Sequence, residues 1–181
     1  MTRYHRMTCL LSLTALLVCA DRASADTFML AAGIGGDVAE GPYKGWLRVE
    51  SVDAAITAGS SWSPSSGATI GKPKPMPIKV AFPAGPWSVA FMRAIEMGRS
   101  VSQVVIDHIG ADGRPAYRFR LDNVLLTSQR TSSASMTPTM SEIELVYKRI
   151  RYEVFTTSAD GRTLSTPLEW DVMTMQVAPA N

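Results

Sequence analysis

The chain has 181 residues, of which 46% are hydrophobic and 19% charged, values that suit one globular domain with a core of its own. Lysine and arginine number 18 against 16 for aspartate and glutamate, so the formal net charge is only +2 and gives no support to nucleic-acid binding, which draws on a basic surface.

Arg3 and Arg6 precede an apolar run from Met7 to Ala20, which ends in Ala23-Ser24-Ala25. A basic start, a short apolar core and a small-x-small exit form the pattern of a secretory signal peptide cut after Ala25. The run is shorter than the ~20 apolar residues that a membrane-spanning helix needs. The expectation is a leader at 1–25, a single domain at 26–181, a secreted or periplasmic location and no membrane insertion after cleavage. Cys9 and Cys19 both lie in the leader, so the working protein holds no disulfide. Val18 is bulkier than the small residue that usually precedes a lipidated cysteine, which disfavours lipidation of Cys19. Arg3, Arg6 and Arg22 leave with the leader against Asp21 alone, and the remainder is formally neutral.

From Asp26 the chain reads mostly as strands between turn signals. Phe28–Ile34 is a short apolar strand, Gly35–Gly45 a glycine-rich loop, and Trp46–Ile56 a second strand. Gly59–Pro77, with Pro64, Pro73, Pro75 and Pro77, reads as a long loop without regular structure, a length that points to function or disorder. Ile78–Phe82 resumes a strand. The period then changes: Trp87, Ala90, Phe91, Ala94 and Ile95 form the apolar stripe of a helix that starts at Pro86 and stops at Gly98. Val101–Ile109 and Ala116–Leu126 flank the turn Gly110-Ala111-Asp112-Gly113 as a hairpin.

Two strands carry a slip of phase. Tyr117, Phe119 and Leu121 share one face, and the apolar pattern then resumes at Val124 and Leu126, which predicts a β-bulge near Asp122-Asn123. In Glu142–Phe155 the series Ile143, Leu145, Tyr147 gives way to Ile150, Tyr152, Val154. Asp160-Gly161 marks a turn, and Leu168–Val177 closes the chain as a last strand. Roughly seven strands and one helix predict a mainly β fold, an antiparallel barrel or sandwich with the helix on its flank.

The residues offer little chemistry. His108, the one histidine outside the leader, sits between Asp107 and Ile109. It reads as a polar residue on the solvent-facing parity of a strand rather than as a general base or metal ligand. One histidine, no cysteine and no carboxylate cluster fall short of the three or four ligands of a metal site. No Gly-x-Ser-x-Gly elbow accompanies the serines. Gly33-Ile34-Gly35-Gly36-Asp37 looks like a phosphate loop but lacks the Lys-Ser/Thr ending and a following helix, so it reads as a flexible turn. Glu142 and Glu144 read as a solvated strand face, and Lys72, Lys74 and Lys79 are too sparse to specify an anionic partner. Met92, Met97, Met136, Met140, Met173 and Met175 read as core filler and loop residues. The expectation is no catalytic residue, no cofactor and no metal: a binding or assembly module rather than an enzyme.

Four segments together resemble the haemolysin-coregulated protein (Hcp) family, the tube protein of the bacterial type VI secretion system. Asp26-Thr27-Phe28-Met29-Leu30 is similar to its opening strand, and Gly45-Trp46-Leu47-Arg48-Val49-Glu50-Ser51 to its second. Pro86–Val101 is similar to its helix and the exit after it. Tyr117-Arg118-Phe119-Arg120-Leu121-Asp122-Asn123-Val124 and Ile143-Glu144-Leu145-Val146-Tyr147-Lys148-Arg149-Ile150 match its paired central strands. The resemblance implies a two-sheet β-barrel with one flanking helix, a structural protein that assembles into homo-hexameric rings. It implies rings that stack into a tube, carry effectors and meet a spike protein, with no catalytic site. Gly59–Pro75 falls near the family's extended loop, implicated in stacking.

Tube proteins of this family leave the cytoplasm without a cleaved leader. A different true start, an inefficiently read leader, or a diverged relative exported to the periplasm or beyond would each reconcile residues 1–25 with the body. The agreement between the cut after Ala25 and the first strand favours the exported relative. The alternative is an exported binding module, whose loops 35–45 and 59–77 hold a glycan, peptide or protein in a pocket lined by Trp46, Trp62 or Trp87.

Overall fold

The structure, a computed structural model, describes residues 25–179 apart from positions 64 and 66. The expected leader, up to residue 24, lies outside the described residues. Among them run β1 (Asp26–Ala31), β2 (Leu47–Val49), β3 (Ser51–Asp53), β4 (Ile56–Ser63), β5 (Gly67–Pro75), β6 (Ile78–Pro83), α1 (Pro86–Glu96), β7 (Ser100–Ile109), β8 (Pro115–Ser132), β9 (Met140–Thr157), β10 (Thr163–Asp171) and β11 (Gln176–Pro179). The fold is mainly β with one short helix.

Nine strands form one sheet along the path β11-β10-β9-β8-β7-β1-β2, with β6 on β9 and β3 on β6. Its centre is β9, 18 residues long. One edge of β9 pairs with β8; the other pairs first with β6, over Met140–Leu145, and then with β10, over Arg149–Thr157. The strands do not close into the expected barrel: among the described residues the path ends at β2, and β3 pairs only with β6. Leu47 and Val49 face inward, but the next inward side chain is Val52, so the phase slips at Glu50-Ser51 and splits the expected strand Trp46–Ile56. β2 stays on β1 and β3 on β6, while the Glu50 N–H donates to the Ala81 carbonyl at 2.8 Å.

The core lies where β6, β7, β8 and β9 face the helix. Ile78, Val80, Phe82, Ile106, Leu121, Val124, Ile143 and Leu145 are all fully buried. Phe91 is the helix residue driven into it, with its ring 5.5 Å from that of Phe82. Trp87, Ala94 and Ile95 flank Phe91 as the stripe predicts, and the Trp87 indole N–H donates to the Pro83 carbonyl at 2.8 Å. The helix ends as expected: Gly98 takes φ +57°, its N–H bonds the Ile95 carbonyl, and the Arg99 N–H bonds that of Ala94. This is a Schellman closure, which needs the left-handed conformation that glycine adopts without strain. The methionines Met92 and Met97 stand exposed on the outer helix face, and Met29 is the methionine of the core.

Both phase slips occur where the sequence places them, and they face each other. On β8 the inward side chains jump from Leu121 to Val124 across Asn123, which sits at φ +52°. On β9 they jump from Tyr147 to Ile150. Asp122 pairs with Arg149 and Val124 with Tyr147, so the register is the same on either side. The expected one-sided bulge is therefore a matched irregularity of two strands; the register shift itself comes later, between Leu126 and Ser128.

Two segments differ from expectation. The long loop Gly59–Pro77 is for the most part the hairpin β4–β5, in which Ala58 pairs with Pro73 and Trp62 with Ala68. Prolines disfavour a central strand, but β5 is an edge strand, where a missing N–H costs no ladder bond. The expected last strand Leu168–Val177 is instead the hairpin β10–β11. Its turn is set by the Asp171 carboxylate, which accepts from the N–H groups of Met173 and Thr174 at 2.9 and 3.0 Å.

Candidate interaction surfaces

The β4–β5 hairpin is an arm: its two strands pair only with each other. Almost every side chain along it is exposed, including Ile56 (58%), Trp62 (78%) and Ile70 (79%). Ser60 pairs with Ile70 and Trp62 with Ala68, so Trp62 and Ile70 are diagonal neighbours on one face. An isolated two-stranded hairpin is marginally stable in water, and an uncovered apolar face on one marks a contact surface. Lys72 and Lys74 share β5 with Pro73 and Pro75, and together they blunt its free edge against indiscriminate strand addition. Lys79 stands apart on β6 and meets Glu144 at 3.6 Å; Glu142 and Glu144 thus form the partly solvated strand face read from the sequence.

The second feature lies on the outer face of β1, β7 and β8, whose ladders align Phe28, Asp107 and Arg118 in one row. Outward parity predicts exposure, yet Asp107 is 1% exposed. The connection between β1 and β2 folds over it. Tyr43 stacks on Phe28 with centroids 4.4 Å apart, meets Trp46 edge-on at 5.0 Å, and donates its hydroxyl to Asp107 Oδ2 at 3.2 Å. Arg118 completes the site with two 2.6 Å hydrogen bonds, from Nε to Oδ1 and from Nη2 to Oδ2. Those bonds to Asp107 raise the guanidinium pKa. Burial, then the Asp107 charge, raises that of the Tyr43 phenol above 10.0.

The glycine segment Gly33–Asp37 forms the near side of this clamp rather than a free turn. Gly36 donates to the Gly45 carbonyl at 2.9 Å, and a Cβ there would overlap the backbone of Trp46. Asp37 Oδ1 accepts from the Arg48 N–H at 2.8 Å.

His108 corrects the sequence reading of its face. It shares the inward parity of Val104 and Ile106, not the solvent-facing one, and sits half-buried at the end of that row. Its Nδ1 is 2.9 Å from the Thr27 hydroxyl, and its ring stacks on Tyr117 at 4.8 Å. Its side-chain partners among the described residues are this hydroxyl and this ring, and no group of three or more metal-ligating side chains occurs among those residues. The polar neighbour the sequence under-reads is Asp107. No periodicity marks it, because a loop distant in sequence buries it.

An open groove of about 780 Å³ runs between α1 and the start of β7, with Arg93, Met97 and Arg99 on its walls. A second cavity, of about 240 Å³, lies on the inner face beside Phe119, Tyr152 and Trp170. The expected pocket tryptophans Trp46, Trp62 and Trp87 line neither; they stand in the clamp, on the arm and on the helix.

No curated protein sequence matches the chain. Solved structures match it in fold. Hcp1 from Salmonella typhimurium superposes with a TM-score of 0.70 at 15% identity, covering 85% of this chain and 99% of its own. A structure described as a type six secretion system protein gives 0.74 at 19%, covering 86% and 100%. A type VI secretion system effector from Yersinia pestis gives 0.66 at 14%, covering 81% and 100%. At sequence level, residues 28–154 match the family described as type VI secretion system effector, Hcp. That span runs from the opening strand to the aromatic end of β9, through both slips and the helix, and the chain belongs to the Hcp family of type VI secretion system proteins.

Proposed function

We propose that residues 26–181 form one domain that serves as a non-enzymatic structural subunit, associating with copies of itself into hexameric rings that stack into a tube. The observation that carries the reading is the arm. Trp62 and Ile70 are exposed on a hairpin that pairs with no other strand, and a neighbouring ring would cover that face. Rotational closure of a head-to-tail contact gives a ring without a free end. In this reading the run β2–Glu50–β3 completes a barrel wall between β1 and β6. Effectors held within the ring and a spike protein are the further partners.

Residues 1–25 act in this reading as a leader, so the assembly forms in the periplasm or outside the cell. Fractionation and N-terminal sequencing test this: a mature chain starting at Asp26 in the exported fraction supports it, and an intact leader on cytoplasmic protein overturns it.

Sedimentation velocity and electron microscopy test assembly. The expected result is six-subunit rings, with stacks at high concentration. Replacing the arm between Thr57 and Lys74 by a short Gly-Ser link is expected to abolish stacks while the unfolding transition of the domain persists. A strict monomer at high concentration overturns the ring.

A further inference from the structure

The inner face of the sheet continues past the core. Beyond Leu121 and Ile150, the ladders set Phe119 opposite Tyr152 and Tyr152 opposite Leu168. The rings of Phe119 and Tyr152 stack at 4.7 Å with planes 18° apart. Together with Tyr147, Ile150 and Trp170 they line the 240 Å³ cavity, to which Ala54, Ala55 and Ile56 at the root of the arm also contribute. No lysine, arginine, histidine, aspartate or glutamate lines it.

One polar group in this lining lacks a partner. Trp170 is 4% exposed, and its Nε1 meets no acceptor. Buried donors are almost always satisfied in folded proteins, so this one, in the wall of a cavity, calls for an explanation.

We infer that this cavity binds a neutral, planar, bicyclic molecule carrying a carbonyl acceptor. Planarity follows from the stacked aromatic wall, and neutrality from a lining without charge, where an ion would lose its hydration uncompensated. Size follows from volume: benzene fills a cavity of about 150 Å³, so 240 Å³ takes a ring system of roughly ten non-hydrogen atoms. The carbonyl takes the Trp170 N–H. Ile56 and Leu168, 58% and 42% exposed, form the mouth. The ligand also touches the root of the arm, where Met76 donates to the Ala55 carbonyl at 2.9 Å.

Coumarin and naphthalene, nearly the same size and differing in the carbonyl, are the probes. Each is titrated into the ¹⁵N-labelled protein while the tryptophan indole N–H resonances are recorded. Coumarin is expected to move the resonance that Trp170→Phe removes, and to bind about tenfold more tightly than naphthalene. Trp170→Phe is expected to erase most of that difference. Leu168→Trp, at a position 42% exposed, fills the mouth and is expected to abolish binding of both probes while the urea unfolding transition persists. Equal binding of the two probes, a Trp170 resonance unmoved by coumarin, or unchanged binding in Leu168→Trp overturns the inference.

Discussion

Replacing Arg118 by leucine tests the clamp over Asp107. The Asp107 side chain is 2% exposed and that of Arg118 40%. Without Arg118 the carboxylate keeps only the Tyr43 hydroxyl at 3.2 Å. Removing one partner of a fully buried ion pair costs about 3–5 kcal/mol, because the other charge is left without compensation. Arg118 is partly solvated already, and its removal opens a path for water to Asp107, which lowers the figure to about 2–3 kcal/mol. Asp107→Asn leaves a cation that reaches solvent and is expected to cost less, about 1–2 kcal/mol. The pair Asp107→Val with Arg118→Leu removes both charges and is expected to recover at least about 1 kcal/mol relative to the sum of the single changes. Urea unfolding followed by tryptophan fluorescence reads these differences as midpoint shifts at constant slope. Additive losses, or a smaller loss for Arg118→Leu than for Asp107→Asn, would refute the reasoning.

Phe82 is fully buried against Phe91, and Phe82→Ala is expected to cost about 3–5 kcal/mol, read as a fall in urea midpoint. The Tyr43 phenol titrates above its ordinary value of 10.0 in the folded state, so its contribution is complete below that pH and is lost as the pH rises through the folded value. Tyr43→Phe is therefore expected to flatten the alkaline decline of stability, measured by urea midpoints across pH ~8 to ~11, and to leave some decline because burial also raises Tyr117 and Tyr147. Gly36→Ala forces the loop off the Trp46 backbone and is expected to accelerate hydrogen exchange at the Val38 and Gly45 amides, which bond across that contact. Asn123 holds φ +52°, so Asn123→Ala is expected to cost about 1 kcal/mol while Asn123→Gly stays near neutral, compared by thermal unfolding.

Much of the fold was legible because burial on one face imposes a period. The helix Pro86–Glu96 follows from the stripe Trp87, Ala90, Phe91, Ala94, Ile95 and from the end marked by Gly98. Both slips were legible for the same reason: an inward face must keep its apolar series, so a break of phase in the sequence is a break in the strand. The arm was not legible, since no face of it is buried within the chain, and its Ser, Gly and Pro content looks like that of a loop. Turn chemistry hid the β10–β11 hairpin, because Met173, Met175 and Val177 carry the apolar alternation through a turn held by Asp171. His108 takes the parity opposite to the solvent-facing one its sequence suggests, and the burial of Asp107, which no periodicity marks, comes from Tyr43 in a connection far away in sequence.

The two slips also explain how one sheet serves two neighbours. β6 leaves the edge of β9 at Leu145 and β10 joins it at Arg149, so the change of partner falls on the residues opposite Asn123. On one side of that point the inward row is Val124, Leu126, Ile143 and Leu145, packed against β6 and the helix. On the other side it is Phe119, Ile150, Tyr152 and Trp170, and the helix does not extend over it. A continuous pleat would hold both rows in one plane, and a single partner strand would have to cover both. Two strands that slip together turn the inner face without losing register, so the first row closes as core while the second opens as an aromatic cavity beside the arm's root. The Asn123 conformation is therefore tied to the cavity as well as to stability: Asn123→Gly preserves the left-handed turn and with it coumarin binding, whereas a β-branched residue such as Asn123→Val, which resists positive φ, weakens both.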